Sequence, residues 1–193
     1  HYKKCLFSVL SLSKVCLLSG NTIRDAIKEY NGNLSLNYEE KFIVITSGNI
    51  INLKYFNKIG RFDNKLFIDM VDYDFCAKIN KEGLKILYFK DVLIEHALGD
   101  LFLRKNLLTG KKKYKREHNP QRVYYITRNS LYLAMKYRKI FPKYFGLLKT
   151  INIVLIHDTL KILKYEASKF EKLKAKFLGL LHFLLNKYGS YKL

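Results

Sequence analysis

The densest group of residues able to do chemistry is Phe-Ile-Asp-Met-Val-Asp-Tyr-Asp-Phe-Cys-Ala-Lys, residues 67–78, where Asp69, Asp72 and Asp74 fall within six positions. Phe67, Val71, Phe75 and Ile79 recur at near-helical spacing, which predicts a helix over residues 67–82. On that helix Asp69 and Asp72 share a face at i,i+3, and Asp74 points elsewhere. Carboxylates beside a cleft can act as a general base or help to hold a divalent metal. Acids in the first turn of a helix are also favoured by the helix dipole alone, so the cluster by itself leaves both readings open.

Other reactive residue types stand around it. His96 is a possible metal ligand or donor contact, or else a capped histidine at the end of a strand. Ser47-Gly48-Asn49 closes a predicted strand, and Gly48 lets a ligand approach the backbone closely. Arg122 and Arg128 lie on a predicted aromatic, basic helix; they can neutralise phosphate, or simply form a solvated basic face.

The elements that must position these residues are mixed. Strands are predicted at 5–10, 14–18, 41–46, 84–89 and 92–95. A polar turn, a short helical stretch and another turn occupy 20–33. A helix over 50–59 presents Ile51, Tyr55 and Ile59 on one face and ends at Gly60. Residues 101–121 read as a basic loop with some helix, and 122–138 as a helix that Pro142 follows. From Tyr144 to Leu185, apolar residues recur at helical spacing (Leu148, Ile151, Leu155; then Leu173, Phe177, Leu180, Leu181, Leu184) among many lysines. The fold class expected is α/β, with residues 1–100 as a mixed half, 101–145 as a basic loop and helix, and 146–193 as a basic amphipathic helical tail.

Charge follows the same division. The 193 residues carry 36 Lys and Arg against 16 Asp and Glu, a net +20; residues 1–100 contribute +2, 101–145 contribute +12 and 146–193 contribute +6. A basic segment attracts phosphate, whether of nucleic acid, of anionic lipid or of a diphosphate-bearing substrate. A nucleic-acid module could stack bases on Tyr114, Tyr124, Tyr125, Tyr132 and Tyr137. An acidic cluster would repel such a partner, and no nucleic-acid motif is present, so nucleic acid is not the expected partner. No apolar run reaches the roughly 18–20 residues of a membrane-spanning helix. A basic amphipathic tail can instead lie flat on an anionic membrane, or pack on its own domain with its lysines in water. Three cysteines (Cys5, Cys16, Cys76) and no CxxC argue against a disulfide scaffold or a zinc ribbon.

The order of these features carries a resemblance. Ser47-Gly48-Asn49 is followed by Ile59-Gly60-Arg61-Phe62-Asp63, then by Phe67-Ile68-Asp69-x-Val71-Asp72-x-Asp74-Phe75-Cys76. His96-x-x-Gly99-Asp100, His118, Arg122-x-Tyr124-Tyr125 and Arg128-Asn129 come after. The run over about residues 44–133 resembles the C-terminal half of the family-two inverting glycosyltransferases, most closely the bacterial rhamnosyltransferase branch. Gly179-x-x-x-Phe183 through Gly189 is similar to that family's C-terminal end.

The resemblance implies the C-terminal part of a glycosyltransferase A-type, Rossmann-like domain. It implies Asp72 as the catalytic base, with Asp69, Asp74, Ser47, Gly48 and Asn49 at the acceptor. It implies His96 at a divalent metal, Mg2+ or Mn2+, or at the donor diphosphate, and Arg122 and Arg128 on diphosphate or lipid phosphate. Lys78 stands where the family commonly has Arg, and an ammonium does not replace a forked guanidinium. The implied partners are a nucleotide-sugar donor and a lipid-linked or saccharide acceptor. The implied place is the cytoplasmic face of the inner membrane, in surface-polysaccharide synthesis. No Asp-x-Asp motif precedes residue 60, and the first 45 residues are fewer than the roughly 90–100 of a nucleotide-binding half. With His1 as the first residue, the expectation is a piece whose nucleotide-binding half lies elsewhere and with which it would associate.

Overall fold

β-Branched and aromatic residues at alternating positions make the strands of a mixed sheet, and helical apolar spacing makes the rest. The computed structural model describes residues 3–10, 38–45, 49–51, 53–96, 102–105, 110, 112–115 and 117–193. The strands predicted at 14–18 and the turn–helix–turn at 20–33 lie outside these residues. Two units form: residues 1–62 with 72–98, and residues 63–71 with 99–193.

The first unit contains β1 (Lys3–Leu10), β2 (Tyr38–Glu40), β3 (Asn49–Ile50), α1 (Leu53–Lys58), nearly all of α2 (Val71–Lys81) and β4 (Ile86–His96). The sheet order is β2-β4-β1-β3; β1 is parallel to β3 and antiparallel to β4, and β2 is antiparallel to β4. The strands expected at 84–89 and 92–95 are one strand. Between the pairs Leu6–Leu93 and Ser8–Tyr88 the register shifts, because β4 carries extra residues there. That irregularity broke the alternation in the sequence. Residues 41–45, expected as a strand, are irregular; the paired residues are Tyr38–Glu40, while Ile43 and Val44 pack on the core. That core is Ile59, Phe75, Cys76, Ile79 and Ile86. The rings of Phe56, Phe62 and Phe75 meet edge-on or tilted beside it, with centroids 4.7–5.6 Å apart, and Phe62 stays exposed.

Gly60 ends α1 as expected. It adopts φ +87°, its N–H donates to the Asn57 carbonyl, and the Arg61 N–H donates to the Phe56 carbonyl, the paired bonds of a Schellman cap.

After residues 63–71, the second unit continues with a hairpin, β5 (Phe102–Lys105) against β6 (Lys112–Lys115), where a loop with some helix was expected. Five helical segments follow: α3 (Pro120–Tyr137), α4 (Pro142–Phe145), α5 (Leu147–Ile151), α6 (Asp158–Tyr165) and α7 (Lys169–Leu184). A π-helical segment, Asn152–His157, joins α5 to α6. Asn119 caps α3 by accepting from the Arg122 N–H at 2.8 Å, and Pro120 sits in the first turn, where no N–H is needed.

The segment expected as a tail packs on α3. Val123, Tyr124, Tyr125, Ile162 and Ala175 form the core. At Gly179 the helices approach so closely that a Cβ would meet the Tyr124 carbonyl oxygen at 2.7 Å. Tyr124, Tyr125 and Tyr137 are buried, so these rings are not available to stack on bases.

Candidate functional site

The helix expected from residue 67 begins at Val71. Phe67, Asp69 and Met70 have φ of +62°, +57° and +63°, a left-handed conformation that costs roughly 1–2 kcal/mol for each residue with a Cβ. Asp69 therefore does not share a helical face with Asp72. Phe67, expected to anchor the apolar face, is 60% exposed.

Side chains from α3 hold this strained turn in place. The Asn129 amide is buried and donates to the carbonyls of Leu66, Ile68 and Asp69 at 2.9, 2.8 and 3.0 Å. Arg128, also buried, uses all five of its N–H groups. Nε donates to Asn129 Oδ1, Nη1 to Tyr124 Oη and the Gly189 carbonyl, and Nη2 to the carbonyls of Lys65 and Leu66. The rings of Tyr124, Tyr125 and Tyr188 surround the guanidinium at 5.0–5.8 Å. Arg128 was expected on a phosphate or on a solvated face; here it gathers carbonyls inside the protein. The Gly189 N–H also donates to the Lys65 carbonyl, so the C-terminal segment is tied to the same loop.

The structure does bring two predicted site residues together. Arg122 grips the Asp69 carboxylate with Nε at 3.1 and 3.3 Å and Nη2 at 2.5 Å. The guanidinium is about half exposed, while the carboxylate is nearly buried. Upstream, Asp63 accepts from Lys136, Tyr132 and the Lys65 amide. Burial would raise its carboxyl, but these three donors hold it below the usual range.

In the first unit, Asp72 and Asp74 occupy the first turn of α2, where the helix N-terminus favours negative charge. Asp72 is partly exposed, and its Oδ1 accepts from the Tyr73 N–H at 3.1 Å. Burial and then the Asp72 charge push up the Tyr73 phenol. Burial also pushes the Cys76 thiol up to about 11, with a smaller push from Asp72. Asp74, expected near an acceptor, is fully buried and meets the Lys78 ammonium at 3.0 Å. Lys78 also donates to the carbonyls of Gly60 and Arg61 at 3.0 and 2.7 Å, so it fastens α2 to the cap of α1. Of the remaining expected site residues, Asn49 opens β3 and His96 ends β4, while Ser47 and Gly48 lie outside the described residues. Among the described residues, no three His, Cys, Asp or Glu side chains gather to hold a metal ion.

The sequence reading missed a buried ion cluster. Glu117, the single acid among residues 101–145, pairs with Arg104 and with Lys172, the latter at 3.0 Å. Lys172 also meets Glu166 at 2.9 Å, and Glu166 meets Lys161 at 2.9 Å. Burial would raise the Glu117 carboxyl, but Arg104, Lys172 and the Ala167 N–H bring it down to about 2. Beside the cluster lies a cavity of about 120 Å³ lined by His118, Asp158, Lys161, Glu166 and Lys176. A larger apolar groove of about 730 Å³ runs along Leu131, Met135, Ile151, Leu155, Leu180 and Phe183.

No family model matches the chain, and no solved structure does. Over 170 residues, 86% of its length, the chain is 29% identical to the dTDP-rhamnosyl transferase RfbF of Shigella flexneri. Those residues are 52% of that protein, so the chain spans about half the length of the curated relative it matches. The similarity supports a relationship to glycosyltransferases, and the mixed α/β architecture is compatible with it.

Proposed function

We propose that the chain works in a nucleotide-sugar-dependent glycosyltransferase that moves a deoxysugar, rhamnose, onto a lipid-linked or saccharide acceptor with inversion. Its place would be the cytoplasmic face of the inner membrane, in bacterial surface-polysaccharide synthesis. The observation that carries this reading is the similarity to a dTDP-rhamnosyl transferase over 86% of the chain. The family-two assignment belongs to the same proposal.

In this reading Asp72 is the base. Its carboxylate takes the proton of the acceptor hydroxyl while that oxygen forms a bond to the anomeric carbon. The bond from that carbon to the diphosphate oxygen breaks on the opposite face, its electron pair leaves with the nucleoside diphosphate, and the configuration inverts. The strained turn over residues 67–70 supports the reading, because left-handed non-glycine residues persist where the surroundings over-determine them, often at working sites. The Asp69–Arg122 pair would help to fix that turn, and exposed guanidinium edge at Arg122 would attract diphosphate. Ser47, Gly48 and Asn49 stay proposed for the acceptor, and His96 for the donor side. Mg2+ or Mn2+ would supply charge neutralisation at the leaving diphosphate.

The test is calorimetric titration of the folded chain with dTDP and with dTDP-rhamnose, each with and without Mn2+ or Mg2+. Binding, followed by sugar transfer to a saccharide or lipid-linked acceptor, is the expected result. A folded chain that binds neither nucleotide overturns the donor-site reading for this chain.

A further inference from the structure

The helical path Leu147–Tyr165 has two faces with different fates. On the inner face, Val154 and Ile162 are buried, and Ile151 and Leu155 line the apolar groove. On the outer face stand Leu148, Ile156, Leu160 and Leu163, exposed by 82%, 54%, 46% and 42%. Leu160 and Leu163 follow Ile156 at i+4 and i+7, one stripe of an α-helix. Leu148 precedes Ile156 by eight residues, which at 3.6 per turn would overshoot two turns by about 80°. The π segment Asn152–His157 lies between them, and its wider turn takes up the excess. The π turn thus brings Leu148 into line with the other three.

Each member of this row is followed by a basic side chain: Lys149 after Leu148, His157 after Ile156, Lys161 after Leu160 and Lys164 after Leu163. One residue of helix is about 100°, so the basic residues form a second row on one flank of the apolar row. The helical path holds one acid, Asp158, which lies 3.5 Å from His157 and lines the inner cavity with Lys161, Lys176 and Glu166. Lys161 itself pairs with Glu166, leaving Lys149 and Lys164 as the outer cations of the row.

We propose that this outer face is a seat on an anionic lipid surface, with Leu148, Ile156, Leu160 and Leu163 in the headgroup–acyl boundary and the basic row on lipid phosphates. An interfacial helix needs an apolar row with a cationic flank and no spanning length. No helix of the described residues is long and apolar enough to cross a membrane. Charge selects the occupant: the chain carries +20, and apposing two such faces would press two cationic rows together, whereas anionic lipid complements them. This deepens the peripheral location proposed above. Of the row read in the sequence it keeps Leu148 alone, since Ile151 and Leu155 face inward.

The experiment is co-sedimentation of the 193-residue chain with vesicles of phosphatidylglycerol in phosphatidylcholine, and with phosphatidylcholine alone. The chain should bind the anionic vesicles, and salt should weaken that binding. Leu148→Gln/Ile156→Gln/Leu160→Gln/Leu163→Gln changes exposed side chains only, so circular dichroism should be unaltered. Vesicle binding should fall by about tenfold or more at every salt concentration. Lys149→Gln/Lys164→Gln should weaken binding at low salt and change little at high salt. Wild-type chain that ignores anionic vesicles, or an apolar-row variant that binds as well as wild type, overturns the proposal. So does self-association, seen by sedimentation, that the apolar-row variant loses in the absence of vesicle binding. A chain that binds vesicles but no dTDP keeps this face and loses the donor-site reading; the reverse result loses the face alone.

Discussion

The side-chain amide of Asn129 donates to the backbone carbonyl of Asp69 at 3.0 Å, and the same nitrogen reaches Leu66 and Ile68. One buried amide therefore holds three carbonyls of a turn in which Phe67, Asp69 and Met70 are left-handed. Asn129→Ala removes these donors and leaves the carbonyls to neighbouring groups alone. Each buried acceptor left unsatisfied costs about 1–3 kcal/mol, so a loss of about 3 kcal/mol is expected in urea denaturation. Limited proteolysis should cut faster within residues 66–70. A variant with unchanged midpoint and protease resistance shows that the turn is held by other contacts.

Acid should weaken the second unit before any carboxylate titrates. His182 Nδ1 lies 2.8 Å from the Tyr124 hydroxyl. That hydroxyl also accepts from Arg128 Nη1, and a neutral imidazole with its proton on Nε2 would accept the phenol's own proton. Burial, then Lys187 and Arg128, push the His182 imidazole below its usual value. His118 moves the same way through burial, Arg122 and Lys161, against smaller opposing effects of Asp69 and Glu166. The unfolded chain then binds more protons than the folded one below about pH 6.5, so stability is full above that pH and falls as pH drops through it. The slope is at most about 1.4 kcal/mol per pH unit for each histidine. Melting temperatures between pH 7.5 and 5.5 check this, and His182→Gln should flatten the fall. A midpoint that rises on acidification contradicts a folded state that holds His118 and His182 below their usual values.

What the sequence showed and what it hid differ for physical reasons. β1, α1 with its Gly60 cap, α3 and α7 were legible because local apolar period and a glycine at positive φ determine them. The start of α2 was not. Phe67, Val71 and Phe75 have helical spacing, but Arg128 and Asn129, some sixty positions away, capture the carbonyls a helix would need. The hairpin of β5 and β6 was hidden because Lys112, Tyr114, Phe102 and Leu103 are all exposed, which erases the two-sided alternation. The full burial of Asp74 against Lys78 was not legible, because burial does not show in residue type. The ion cluster did leave a trace: a lone Glu117 among thirteen basic residues is a candidate for a buried partner.

Gly179 is a second place where local preference and packing disagree. Alanine has the higher helix propensity by about 1 kcal/mol. Its Cβ would stand 2.7 Å from the Tyr124 carbonyl oxygen and 3.1 Å from Thr127 Cβ. Neither neighbour can swing away, since one is helix backbone and the other the root of a β-branched side chain. The helices would have to separate, at about 1–3 kcal/mol. Gly179→Ala should lower the urea midpoint, and Gly179→Val should lower it further. A Gly179→Ala chain more stable than wild type would show that α3 and α7 are not in such close approach.

Asp72 and Asp74, two positions apart, should fail differently. Asp72→Asn keeps an Oδ1 that can accept from the Tyr73 N–H, so the first turn of α2 stays formed. It removes the basic carboxylate, and loss of a general base costs roughly 10²–10⁴-fold in rate. Transfer should therefore collapse while dTDP titration and thermal stability hold. The Cys76 thiol, held up to about 11 chiefly by burial and in small part by the Asp72 charge, should titrate slightly lower. Asp74→Asn instead leaves the Lys78 ammonium beside a neutral amide in a buried place, and stability should fall with or without substrate. Rate assays, dTDP calorimetry and melting curves on both variants separate the two roles. Transfer that survives Asp72→Asn, or dTDP binding that disappears with it, would remove Asp72 as the base.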